Sequence, residues 1–245
     1  MAPSRGVYQA IHDEYRDMAT WYDSFWASYT DPVLRRPAEE VVRIIRRRPP
    51  PREPPAAAVT VLDVGAGTGA LLRRLRDETS DLGGLVALVG AEPSGEMLEQ
   101  ARRKHTVPLI LTCSSSNSPD QPPEDLPFAD ESTDIVVSTS AFHFFVDKVD
   151  ALREMRRVLK REGGSLVITD WCNDYLLVKL YHLLERIRWN FALGYSEAYP
   201  GPVTSEEMAK LVRDAGFDNV RIATYRVRVF GFFFWGTHTV TATKP

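Results

Sequence analysis

The chain has 245 residues, with 30 Lys and Arg against 33 Asp and Glu and a formal charge of −3, enough length for a full α/β core. That charge excludes the basic field that holds nucleic acid, so no nucleic-acid partner is expected. No run reaches the roughly 18 apolar residues of a membrane span, and Cys113 and Cys172 lack metal spacing, so no metal and a reduced, cytoplasmic setting are expected.

The N-terminus, MAPSRGVYQAIHDEYRD, has no apolar signal core. Residues 7–48 read as two helices, the second opening at Asp31-Pro32 with Asp31 as N-cap. Tyr8, Tyr15, Trp21, Tyr22, Phe25, Trp26 and Tyr29 crowd the first of them. Most such rings pack on a domain edge; the functional alternative is a lid whose phenols hydrogen-bond a ligand carboxylate. Arg43 to Pro55, RIIRRRPPPREPP, is a helix end with favourable basic charge that breaks into an extended connector. Residues 1–55 are thus expected to form a helical cap and linker, and residues 56–245 the core.

Val59 to Gly69, VTVLDVGAGTG, is a buried-strand composition ending in three alternate glycines, followed by the helical pattern of Leu71, Leu72 and Leu75. A strand turning through Gly65, Ala66 and Gly67 into a helix lets a ligand approach bare backbone N–H groups. Asp63 stands at the carboxyl end of that strand, the edge where open α/β sheets bind ligands. Two readings fit: Gly65, Gly67 and Ala70 match the dinucleotide pattern, while an acid such as Asp63 suits a cation and repels a phosphate.

Leu85 to Val89 is a second strand, and Glu92 ends it with a carboxylate able to accept from both hydroxyls of a ribose. Ser94 is placed to cap the next helix, with Met97 and Leu98 opening its apolar face. Pro108 to Cys113 and Ile135 to Val137 read as further strands, separated by a Ser- and Pro-rich surface loop. Ser138 and His143 leave the carboxyl end of the latter strand, where polar groups meet ligands. His143 is a candidate catalytic base.

DALREMRRVL is an amphipathic helix from Asp150, and SLVITDW a strand after Gly163-Gly164. Asn173 to Phe191 reads as an added helix with Leu176, Leu180, Leu183 or Leu184, Ile187 and Phe191 along its apolar face. Thr204 and Glu207 form a capping-box pattern. The tail has two strands, Val220 to Phe230 and Phe232 to Lys244, turning at Gly231, with the run Phe232 to Trp235 expected mostly in the core.

Taken in order, D-x-G-x-G-x-G at Asp63, Glu92-Pro93-Ser94-x-x-Met97, Leu126-Pro127-Phe128, Asp134 before Ile135-Val136-Val137, and the E-x-x-R-V-L-K-x-x-G-G-x-L run resemble the class I S-adenosylmethionine (SAM)-dependent methyltransferases. Ala19 to Asp23 resembles the segment before the core in the quinone-biosynthesis and small-molecule type. The resemblance implies a Rossmann-like seven-stranded mixed sheet, with helices on both faces, a C-terminal β-hairpin and an N-terminal helical cap. The helix inserted at about 173–202 would roof the substrate pocket. It further implies SAM as cofactor, held by Tyr22, Tyr29, Asp63, Gly65, Ala66, Gly67, Glu92, Pro93, Met97 and Ser138, with Ser114 reading the adenine in place of the weaker candidate Asp125. The implied reaction is O-, N- or C-methylation of a small apolar or aromatic acceptor by in-line displacement, in a monomer or homodimer. The alternatives are an NAD-dependent oxidoreductase, a nucleic-acid methyltransferase and a SAM-binding member that does not methylate.

Overall fold

The computed structural model describes residues 11, 13, 15–48, 58–104, 126–189 and 200–245. Helices α1 (Tyr22–Arg47), α2 (Ala70–Glu78), α3 (Gly95–Arg103), α4 (Lys148–Val158), α5 (Leu176–Ile187) and α6 (Ser205–Asp214) surround one sheet. Its strands are β1 (Val59–Val64), β2 (Val86–Ala91), β3 (Ile135–Thr139), β4 (Ser165–Trp171), β5 (Asp218–Val229) and β6 (Phe233–Thr243). They lie in the order β2-β1-β3-β4-β6-β5. The first four run parallel, and β6 enters antiparallel between β4 and β5.

The sheet therefore has six strands among the described residues rather than the expected seven; the strand expected over 108–113 lies outside them. Alternation splits each strand between two cores. Leu62, Val136, Leu166 and Val240 face α4 and α6, while Val61, Ile135, Val137 and Val167 face α1 and α2. Both faces of β1 and β3 are covered, which is why those strands read as unbroken apolar runs.

The N-terminal segment differs from its sequence reading. Residues Tyr22–Arg47 form one continuous helix with Pro32 and Pro37 inside it, and Asp31 caps nothing. Each proline removes a helical hydrogen bond, at a cost of about 3 kcal/mol. A single buried stripe of Tyr29, Val33, Leu34, Ala38, Val41 and Ile45 spans both prolines and offsets that cost by seating on the sheet. The caps at Ser94 and Thr204 form as expected: Ser94 Oγ accepts from the Met97 amide, and Thr204 closes a capping box with Glu207. Gly231 takes a positive φ of 78° in the closing turn, a conformation open to glycine.

The late helix and the hairpin tip also depart from expectation. The apolar face of α5 looks outward: Val178 is its one buried residue, whereas Leu176 is 79% exposed. Phe232 to Phe234 stand exposed at the tip, and Trp235 alone of that run is half-buried. Beyond Trp171 the hairpin rises past the end of β4, so these residues have no strand beside them on the β4 side, and Phe233 and Phe234 pair with β5 alone.

Candidate functional site

All parallel strands end at one edge, and that edge gathers the chemistry. The Asp63 side chain ends β1 at 2% exposure, and its Oδ1 has no hydrogen-bond partner among the described residues. Burial, then the nearby Glu92, push its carboxyl up to about 8. Glu92, just beyond β2, accepts from the Gly67 amide and the Ser94 amide, each at 2.8 Å. Burial still raises it to about 7 against those two bonds.

The glycine loop between them is tightly built. The amides of Gly65 and Ala66 both donate to the Ala91 carbonyl, at 2.8 and 3.1 Å. Gly65 has φ of 77°, and a Cβ there would lie 2.4 Å from the Ala141 side chain; a side chain cannot fit. At Gly67 the φ is 54° and a Cβ would meet nothing among the described residues, which leave the space in front of this turn open.

The cap is fastened to this loop by a residue the sequence reading passed over. Thr68 Oγ1 donates to Asp23 Oδ1 at 2.6 Å, and Lys104 pairs with the other carboxylate oxygen. Asp23 sits in the quoted Ala19 to Asp23 piece, and an acid beside a cap tyrosine was the available signal. Tyr22 is brought beside Asp23 and Glu92, where burial and those two acids raise its phenol above the usual range.

Other expected contacts take different forms. Tyr29 is buried with its hydroxyl engaged by protein, 2.9 Å from Ser140 Oγ and accepting from Trp171 Nε1 at 2.7 Å. Ser138 is fully buried and donates to the Val64 carbonyl at 2.8 Å, tying β3 to β1 beneath the loop. Pro93 is exposed, and Met97 is buried on α3. Ser114 and Asp125 lie outside the described residues.

At the β3–β4 end of the same edge His143 faces Asp170, its Nδ1 2.7 Å from Asp170 Oδ1. Asp170 also accepts from the His143 and Trp171 amides, at 2.7 and 2.6 Å. Burial works against its charge, but the His143 ring and the Trp171 amide hold the carboxyl below its ordinary range. An ionised Asp170 makes Nδ1 the donor, which leaves the Nε2 lone pair free; Nε2 is buried with no partner among the described residues. The ring lies against Trp171, stacked at 4.3 Å, with Phe144 on it as well. Asp170 obeys the rule that drew attention to Asp63, an acid at the carboxyl end of an apolar strand.

With this geometry in view, the comparisons with known proteins are decisive. The family described as "Methyltransferase domain" matches residues 62–168. The ubiquinone/menaquinone biosynthesis C-methyltransferase of Geotalea uraniireducens is 32% identical over 173 residues, which cover 66% of this chain and 71% of that one. The chain belongs to the class I SAM-dependent methyltransferases. The corresponding protein of Geotalea daltonii is 36% identical over 124 residues, so there the match spans half the length of each chain. A solved SAM-dependent methyltransferase of Thermotoga maritima, described as a possible histamine N-methyltransferase, shares the fold. Its TM-score is 0.63 at 20% identity, over 94% of this chain and 98% of that one. The dinucleotide reading of the glycine loop is thereby set aside, and SAM is the cofactor. The residues present fit it: among the described residues, a buried acid without a partner at Asp63 Oδ1, a second buried acid at Glu92, and a turn with open space in front of Gly67. No helix among the described residues is long and apolar enough to cross a membrane.

Proposed function

We propose that this protein transfers a methyl group from SAM to a small, apolar or aromatic acceptor, at an oxygen or carbon whose proton must leave. The carrying observation is the His143–Asp170 pair, with Nδ1 tied down, Nε2 buried and unpartnered among the described residues, and the ring against aromatic neighbours. When bound, SAM supplies a methyl activated on a cationic sulfonium for in-line displacement. Asp63 is suited to the cationic amino-acid end, and Glu92 to the ribose hydroxyls once its hold on the Gly67 amide is exchanged for them. Gly67 presents backbone with no side chain in the way among the described residues, and Tyr22 closes the cap side.

In this reading the aromatic walls exclude water and align the acceptor, which contributes most of the rate for an already activated methyl. His143 takes the acceptor's proton at Nε2, and Asp170, ionised and buried, stabilises the imidazolium that forms. Tyr29 holds Trp171 and Ser140 in place and so shapes the pocket wall from behind. The division into a cap over 1–55 and a core over 56–245 remains part of the proposal, with the Asp23–Thr68 bond joining them.

The test is an acceptor panel of phenols, carbon acids and amines, read by S-adenosylhomocysteine release. Turnover on phenols or carbon acids that collapses in His143→Asn supports the reading. Preference for amines with an indifferent His143→Asn overturns it, and so does SAM binding with no release on any acceptor.

A further inference from the structure

The exposed large apolar side chains of the described residues are concentrated in three segments, α5, the β5–β6 tip and the start of α1. These segments touch. The Phe25 and Phe230 rings lie 6.1 Å apart, the Phe230 amide donates to Ser28 Oγ at 3.4 Å, and Tyr181 of α5 meets Trp235 of β6 at 5.4 Å. The result is one crest on the edge that carries Asp63 and His143, with Leu176 and Phe232 its most prominent members at 79% and 69% exposure. A patch this continuous marks an interaction surface rather than scattered apolar residues.

Charge is segregated as well on α5 and the hairpin, while Asp23 at the start of α1 is taken by Thr68 and Lys104. The chain carries −3 overall, yet no carboxylate side chain occurs from Asn219 to Pro245. On α5 the single acid, Glu185, is taken by Arg188. Lys179, Arg186, Arg226 and Arg228 have no acidic partner among the described residues; Arg226 lies over the Tyr175 ring and Arg228 over Phe234. Leucines and aromatics beside unpaired cations are the composition of a surface that rests in an anionic lipid interface. A second copy fits poorly, because a two-fold contact would set this patch, cations included, against itself.

We infer that this crest docks on an anionic lipid surface, with the mouth of the site turned to the bilayer. Phe232 and the α5 leucines would enter the acyl boundary while Lys179, Arg186, Arg226 and Arg228 meet the headgroups. An acceptor dissolved in lipid would then reach the site without crossing water. The docking goes beyond the acceptor reading and is measured without SAM or acceptor, so either can fail alone.

The experiment is co-sedimentation of the intact protein with vesicles of phosphatidylcholine alone and of phosphatidylcholine doped with phosphatidylserine. Binding is expected to the doped vesicles and to weaken with added salt. The triple change Lys179→Gln, Arg186→Gln and Arg228→Gln should reduce it by about 100-fold, at roughly fivefold per cation. Leu180→Ser with Leu184→Ser and Phe232→Ser should abolish it while SAM binding by calorimetry stays at the wild-type value, which certifies the fold. Intact protein that remains in the supernatant overturns the inference. So do variants that sediment like the wild type, and so does a dimer in light scattering that Leu184→Ser splits while vesicles are ignored.

Discussion

The two ends of the active edge are built on opposite plans. At the β1–β2 end, burial leaves two acids under-compensated: Asp63 Oδ1 has no partner among the described residues, and Glu92 is raised in pKa by burial although it accepts from two amides. At the β3–β4 end, polar groups are spent on one another. Asp170 accepts from one ring nitrogen and two amides, and Tyr29 binds Trp171 and Ser140; His143 Nε2 has no partner among the described residues, as is also true of Thr139 Oγ1 on β3 and the His238 ring nitrogens on β6. An end that waits for many hydrogen bonds suits one invariant polar ligand. An end that locks its own polar groups behind aromatic walls suits shape selection and a single proton transfer.

If that division is real, mutations should separate binding from turnover. The largest effect belongs to Gly65→Val, which places atoms where even a Cβ would come within 2.4 Å of Ala141; calorimetry should detect no SAM binding. Next is His143→Asn, whose amide can still donate to Asp170 but offers no base. A loss of about 10²–10⁴ in turnover is expected, with the SAM dissociation constant within twofold of wild type. A large loss of SAM affinity there would erase the contrast between the two ends.

Asp23→Ala should sit between the extremes. It removes a 2.6 Å bond to Thr68 and the partner of Lys104, so SAM binding should weaken by about tenfold through a loosened cap. Unchanged affinity would show that the cap does not bear on the glycine loop.

The acids also make a pH prediction. Asp63 and Glu92 titrate near 8 and 7 in the fold, against ordinary values of 3.8 and 4.5, so between those limits the native chain holds the extra protons. Ligand-free stability should therefore fall as pH rises from about 4 to about 8, by no more than about 1.4 kcal/mol per pH unit for each group. Asp63→Asn should flatten that slope in thermal melts, while SAM affinity in the wild type should climb over the same interval. A flat wild-type melting profile would contradict the burial of uncompensated acids. The smallest effect is expected at Leu184→Ser, which touches solvent and should shift stability by less than about 0.5 kcal/mol.

Much of this protein was legible in its residues because the signals were local. The run at Val59 to Gly69, the caps at Ser94 and Thr204 and the closing hairpin each depend on neighbours a few positions away, where periodicity and backbone sterics decide the outcome. Asp63 and Glu92 were readable for the same reason, since a strand's carboxyl end is visible in the chain. Three features were not. The continuity of α1 through Pro32 and Pro37 was decided by a sheet face that buries one stripe across both prolines. The pairing of His143 with Asp170 joins residues 27 positions apart through the parallel register of β3 and β4. The outward turn of the α5 leucines and of Phe232 to Phe234 was decided by where the core stops, and apolar composition carries no direction. Local geometry thus set the glycine-loop end of the edge, whereas long-range packing made the His143–Asp170 pair, the Asp23–Thr68 latch and the exposed crest.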